Sequence, residues 1–243
     1  MDDRLQEIAD CVIAGRFDEV TALVESALSD GVDPQTIDND GLRSGMQVVG
    51  EKFKANEFFI PEVLIAARAM KAGMEVIKPH LAADSTDSLG TVVIGTVQGD
   101  LHDIGKNLVA MMLEGAGFQV IDLGTDVSPE AFVVATRGNE AEIVAMSALL
   151  TTTMPKMAET VHALSSADLD RTVRTMIGGA PVTQTYADQI GADAYAPEAA
   201  SAVDAARELV GQVSRPRGDG PPCWPQRAFA RRLEREGEKG RGR

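Results

Sequence analysis

The sequence predicts an α + α/β fold: an N-terminal four-helix bundle followed by a doubly wound domain on a five-stranded parallel sheet. Two observations carry this expectation. Up to about residue 83, apolar residues recur at helical spacing, i, i+3, i+4, i+7. From residue 91 the period changes, and short β-branched runs alternate with amphipathic helical segments, the pattern of βα units. The polar stretch ADSTDSLG separates the two regimes and reads as a linker. The expected organisation is therefore residues 1–83 as bundle, 84–90 as linker, 91–212 as α/β domain and 213–243 as a tail.

The first helix carries Leu5, Ile8, Ala9, Val12 and Ile13 on one face, and the second Val20, Leu23, Val24, Ala27 and Leu28. The third presents Leu42, Met46, Val49 and Phe53. The fourth has the longest stripe, Ile60, Val63, Leu64, Ala67, Met70, Met74 and Ile77, with Pro61 suited to its first turn and Pro79 marking its end. Strands are expected over 91–95, 119–123, 143–147, 172–177 and 192–195, and helices over 105–115, 129–137, 154–164, 183–190 and 198–210. Five such units close into a flavodoxin- or Rossmann-like sheet with helices on both faces.

The chain has 243 residues, 44% of them hydrophobic, enough for a globular core. No apolar run approaches a membrane span and no charged-then-apolar leader opens the chain, so a cytoplasmic protein with no membrane association is expected. Cys11 and Cys223 are far apart in sequence and neither has a neighbour at metal-ligand spacing, which reads as two reduced thiols. The net charge is −14, unevenly spread. From Ser214 onward there are nine basic and four acidic residues, a net of +5, so the first 213 residues hold −19. An acidic body argues against nucleic acid as partner, because phosphate binding needs basic clusters. The tail, rich in Gly, Pro and Arg, reads as disordered with a short helix over 226–236.

The most informative stretch is residues 91–107, TVVIGTVQGDLHDIGKN. A β-branched strand runs into a loop holding Asp100, His102 and Gly105, and a helix with Leu108, Val109, Met112 and Leu113 on its apolar face follows. The carboxyl end of a parallel strand is where open α/β sheets bind ligands. A carboxylate two residues before an imidazole can hold one ring N–H and raise the basicity of the other nitrogen toward a metal. Two further pieces converge on the same crevice: the third strand runs into Ser147, Ala148, Leu149, Leu150, Thr151, Thr152 and Thr153, and the fourth ends in Gly178-Gly179. Taken alone, those hydroxyls also read as helix caps, with Thr153 capping the next helix, and the glycines as a turn. Asp103 and Lys106 read as surface residues at a helix start, with Lys106 outside the site. His80 and His162 read as ordinary surface or satisfied histidines.

The spacing Asp100-x-His102-x-x-Gly105 resembles the signature of cobalamin-binding domains, and the string GDLHDIGKN looks like the corrinoid-protein and methionine-synthase branch of that family. The resemblance spans residues 1–212, and the basic tail has no counterpart in it. It implies that His102 is the metal ligand, replacing the cofactor's own base beneath cobalt. It implies that Asp100, Gly105, Ser147, Leu149, Thr151, Gly178 and Gly179 bind the cofactor, cobalamin or a related corrinoid cycling between methylcob(III)alamin and cob(I)alamin. Thr153 stands where methionine synthase has a serine bonded to the ligand-bearing pair. The segment EKFKANEFFIPEVL resembles the cap over the methyl face in that family, with Phe53, Phe58, Phe59 and Leu64 as shielding candidates.

No complete active site for a small substrate is visible, and no catalytic residue is assigned. Cap plus cobalamin domain implies a corrinoid carrier that shuttles methyl between a substrate:corrinoid methyltransferase and a corrinoid:tetrahydrofolate or thiol methyltransferase, with a reductive activator as a further partner. Two alternatives stay open: a cobalamin-dependent regulatory or sensor protein, and a small subunit of an adenosylcobalamin mutase. Methyl transfer, as against light- or adenosyl-dependent behaviour, separates the three.

Overall fold

The computed structural model describes residues 3–81, 88–169 and 171–213. Most of the expected linker and the expected tail beyond Val213, with its short helix and Cys223, lie outside the described residues.

The N-terminal half is helical: α1 (Asp3–Ile13), α2 (Phe17–Ser29), α3 (Pro34–Thr36), a π-helical segment over Ile37–Arg43, α4 (Ser44–Lys54) and α5 (Ile60–Ile77). The apolar stripes face one another, with Ile8, Val12, Val20, Val24, Leu42, Val49, Val63 and Ile77 buried. The chain enters α3 through Asp33, whose carboxylate accepts the Thr36 N–H at 3.0 Å. Pro61 sits in the first turn of α5, and the Glu62 carboxylate accepts the Phe59 N–H at 3.0 Å. Helical periodicity gave no sign of the π segment. Its wide turn holds the buried Asp38 carboxylate 2.6 Å from Arg43.

The second half alternates strictly: β1 (Thr91–Thr96), α6 (Ile104–Gly115), β2 (Gln119–Asp122), α7 (Pro129–Gly138), β3 (Ile143–Ser147), α8 (Pro155–Ser166), β4 (Arg174–Gly178), α9 (Gln184–Ile190), β5 (Ala194–Ala196) and α10 (Ala199–Val213). All five strands are parallel in the order β2-β1-β3-β4-β5, so the fold class is the doubly wound one the sequence predicts. Chain direction across the sheet reverses between β1 and β3, the switch point at which such sheets open a crevice. Alternation divides the strands between two cores: Val93, Val144 and Ile177 pack with Phe132 of α7 and Met157 of α8, while Ile94, Ala145 and Met176 face the other way. That second face shares its core with α6, α10 and the helical bundle.

The bundle therefore rests on α6 and α10. A Cβ at Gly115 would run into Met46, and one at Gly50 would lie 3.3 Å from the Met112 methyl. Lys54 of α4 is ion-paired with Asp204 of α10. Among the described residues no helix is long and apolar enough to cross a membrane.

Candidate functional site

The switch point is occupied by the loop between β1 and α6. Register aligns Thr96, Ser147, Gly178 and Ala196 in one row across the carboxyl edge of β1, β3, β4 and β5. The chain leaves β1 at Thr96, turns through Gly99 (φ +84°) and is fastened to the neighbouring loop by Asp126, whose carboxylate accepts the Gly99 N–H at 2.7 Å. Asp126 also donates its own N–H to the Asp100 carbonyl at 3.1 Å. The Thr96 hydroxyl donates to the His102 carbonyl at 2.9 Å.

Asp100 is fully buried. One carboxylate oxygen meets His102 Nδ1 at 2.7 Å and accepts the His102 backbone N–H at 3.1 Å. The other accepts the Leu149 N–H at 2.8 Å, the Leu150 N–H at 3.1 Å and the Thr153 hydroxyl at 2.7 Å. Burial pushes this carboxyl up, but the hydrogen bonds from Thr153, His102 and Leu149 together outweigh it and hold it well below the usual carboxylate range. An ionised Asp100 assigns the imidazole proton to Nδ1 and leaves Nε2 with a free lone pair. The His102 side chain is half exposed at 51%, and among the described residues its Nε2 has no hydrogen-bond partner.

His102 borders a crevice of about 590 Å³ over the row of strand ends. Ile94, Ala145 and Met176 form its apolar floor, and α6 and the start of α10 form its walls. Gly105, Ser147, Leu149, Gly178 and Gly179 all line it. A Cβ at Gly105 would enter open space, so that glycine keeps the crevice clear beside His102. A Cβ at Gly178 would stand 2.9 Å from the Ala196 carbonyl oxygen. Gly179, at φ +132°, lies so close to the Ala148 carbonyl that no side chain fits. Thr153 is buried and bonded to Asp100; α8 begins without a side-chain cap, so the alternative of Thr153 as a helix cap does not hold. Thr151 is exposed and is not part of the crevice lining.

Of the bundle's shielding candidates, Phe53 reaches the crevice. Phe58 packs against the core beneath the Lys52 ammonium, 5.0 Å from its ring centre, while Phe59 and Leu64 face outward. His80 and His162 are exposed. Lys106 corrects the sequence reading most sharply. Expected on the surface, it is 2% exposed, lines the crevice and is ion-paired with Asp122. Its partner is the last residue of β2, sixteen residues on, where local pattern gives no sign of it.

These residues fit a corrinoid. The ring nitrogen facing away from Asp100 is free to ligate a metal, and Gly105 leaves the crevice open beside His102. Leu101 and Ile104, 72% and 75% exposed, flank His102 as an apolar rim suited to a large flat ligand. A doubly wound domain with an imidazole at its switch point and a helical bundle beside the crevice defines a corrinoid-binding protein. Residues 90–207 and residues 4–78 each match a family described as a B12 binding domain. The chain is 48% identical over 198 residues to trimethylamine corrinoid protein 1 of Methanosarcina acetivorans, covering 80% of this chain and 92% of that one. It is 44% identical over 210 residues to dimethylamine corrinoid protein 1 of the same organism, covering 86% and 98%. One chain of the methanol:cobalamin methyltransferase complex of Methanosarcina barkeri superposes with a TM-score of 0.78 at 30% identity, covering 89% of this chain and 81% of that one. A cobalamin-binding protein from Desulfitobacterium hafniense superposes at 0.70 with 32% identity, covering 84% and 98%. The chain belongs to the B12-binding corrinoid proteins of methyltransferase systems.

Proposed function

We propose that this protein carries a methyl group between two enzymes: a substrate:corrinoid methyltransferase that loads it and a corrinoid:tetrahydrofolate or thiol methyltransferase that unloads it. A reductive activator is the third partner, and the cytoplasm is where the cycle runs. The relatives named for trimethylamine and dimethylamine favour a methylamine as donor. A bound corrinoid supplies a cobalt that takes up a methyl group when reduced and yields it to a nucleophilic acceptor.

The observation that carries the reading is His102, its Nδ1 fixed by a buried carboxylate at 2.7 Å and its Nε2 left free at the mouth of the crevice. In this reading His102 would hold the cobalt through Nε2, and Asp100 fixes its tautomer and orientation. Thr153 and the Leu149 and Leu150 amides hold Asp100 in turn. Gly105, Ser147, Leu149, Gly178 and Gly179 seat the rest of the cofactor, with Thr151 at the outer margin. Phe53 excludes water from the bundle side. The bundle must yield to two different enzymes in each cycle.

Cobalamin-loaded protein, reduced and methylated with iodomethane, tests the proposal. It is expected to keep its methyl group in the dark and to release it to tetrahydrofolate or a thiol when the second methyltransferase is added. Light- or adenosyl-dependent behaviour without methyl transfer would instead identify a regulator or a mutase subunit.

A further inference from the structure

Lys106 has no part in the function described so far, and it stands where a lysine is poorly accommodated. It is the third residue of α6 and 2% exposed. Burial disfavours an ammonium, and the positive end of a helix disfavours it again. Its Nζ is ion-paired with Asp122, the last residue of β2, and donates to Asn107 Oδ1 at 2.6 Å. Asn107 donates its side-chain amide to the Asp103 carboxylate at 3.1 Å and its backbone N–H to the Asp103 carbonyl at 2.7 Å. Asp122 is itself anchored by the Gly124 N–H at 2.8 Å. A continuous polar chain, Asp122–Lys106–Asn107–Asp103, thus runs from the end of β2 to the residue that follows His102.

The other side of the His102 loop is tied down by Asp100, Thr96 and Asp126. The geometry points to Lys106 as a positioning residue for His102: with Asp122 as counterion it fixes the first turn of α6, and so fixes the imidazole against the cofactor from the side Asp100 does not reach. Stability alone does not account for the pair, because an apolar pair of similar volume would fill the same wall without desolvating an ammonium. The inference rests on the reading of His102 as the residue that would hold the cobalt.

Wild type, Lys106→Met/Asp122→Leu and Asn107→Ala are loaded with hydroxocobalamin and compared by absorption spectrum, cobalamin affinity and thermal melting, with His102→Ala as reference spectrum. The double variant leaves no unpaired buried charge. Asn107→Ala breaks the chain while leaving the ion pair intact, so one variant remains informative if the other fails to fold. Both are expected to melt cooperatively, to lose part of the imidazole-ligated spectrum and to bind cobalamin about tenfold more weakly. A folded variant with wild-type spectrum and affinity would overturn the role of Lys106 and leave that of His102 standing. A wild type that itself lacks imidazole ligation would remove both.

Discussion

Asp100 accepts five hydrogen bonds on two oxygens, from Thr153, from the Leu149 and Leu150 amides, and from the ring and backbone nitrogens of His102. A carboxylate so enclosed is shut off from solvent and depends on these donors. Thr153→Val removes one donor from a fully buried anion and is expected to destabilise the protein by about 1.5–3 kcal/mol at pH 7 in urea unfolding. Thr153→Ser keeps the donor and most of that stability. The native carboxyl lies below its unfolded value of about 3.9, so its contribution is present above that pH and lost as pH falls through the native value. The gap between wild type and Thr153→Val is therefore expected to be full at pH 7 and to close in acid below about pH 4. An unchanged gap at low pH would show that the valine acts through packing instead. The spacing of Asp100, His102 and Gly105 was legible as a unit because it is local. The Thr153 contact, 53 residues away, entered only through resemblance, and the threonine meets Asp100 at 2.7 Å.

The elements that present these residues were read with bounds close to those observed, since β-branched runs and apolar stripes are properties of neighbours in sequence. What escaped depends on partners brought in by the fold. The π segment over Ile37–Arg43 keeps the apolar stripe running from Leu42 into α4, so periodicity conceals it. The burial of Lys106 is set by β2. At the other rim of the crevice, the turn after β4 requires glycine at one position for two reasons. Gly179 sits at φ +132°, and an added Cβ would collide with the Ala148 carbonyl. Gly179→Ala is expected to lose about 1–3 kcal/mol through strain and to retain less cobalamin after gel filtration. A variant as stable and as strongly coloured as wild type would mean that the turn relaxes freely.

The two halves of the molecule share one continuous core, through contacts such as Met46 against Gly115 that no stretch of sequence displays. The proposed methyl-carrying cycle needs this seam to open, and the Lys54–Asp204 ion pair between α4 and α10 marks a place to lock it. A bifunctional maleimide joining cysteines introduced at 54 and 204, with Cys223 replaced by serine, is expected to stop methyl transfer while leaving cobalamin bound. Undiminished turnover in a verified cross-linked sample would contradict opening at this seam. The central claim is simpler, that the crevice holds a corrinoid with His102 on cobalt. Purified protein is mixed with hydroxocobalamin, freed of excess ligand, and its absorption spectrum recorded beside that of His102→Ala. The account predicts stoichiometric colour in the wild type and loss of the imidazole-ligated features in the variant. A wild type that retains no corrinoid, or a variant with an identical spectrum, would contradict it.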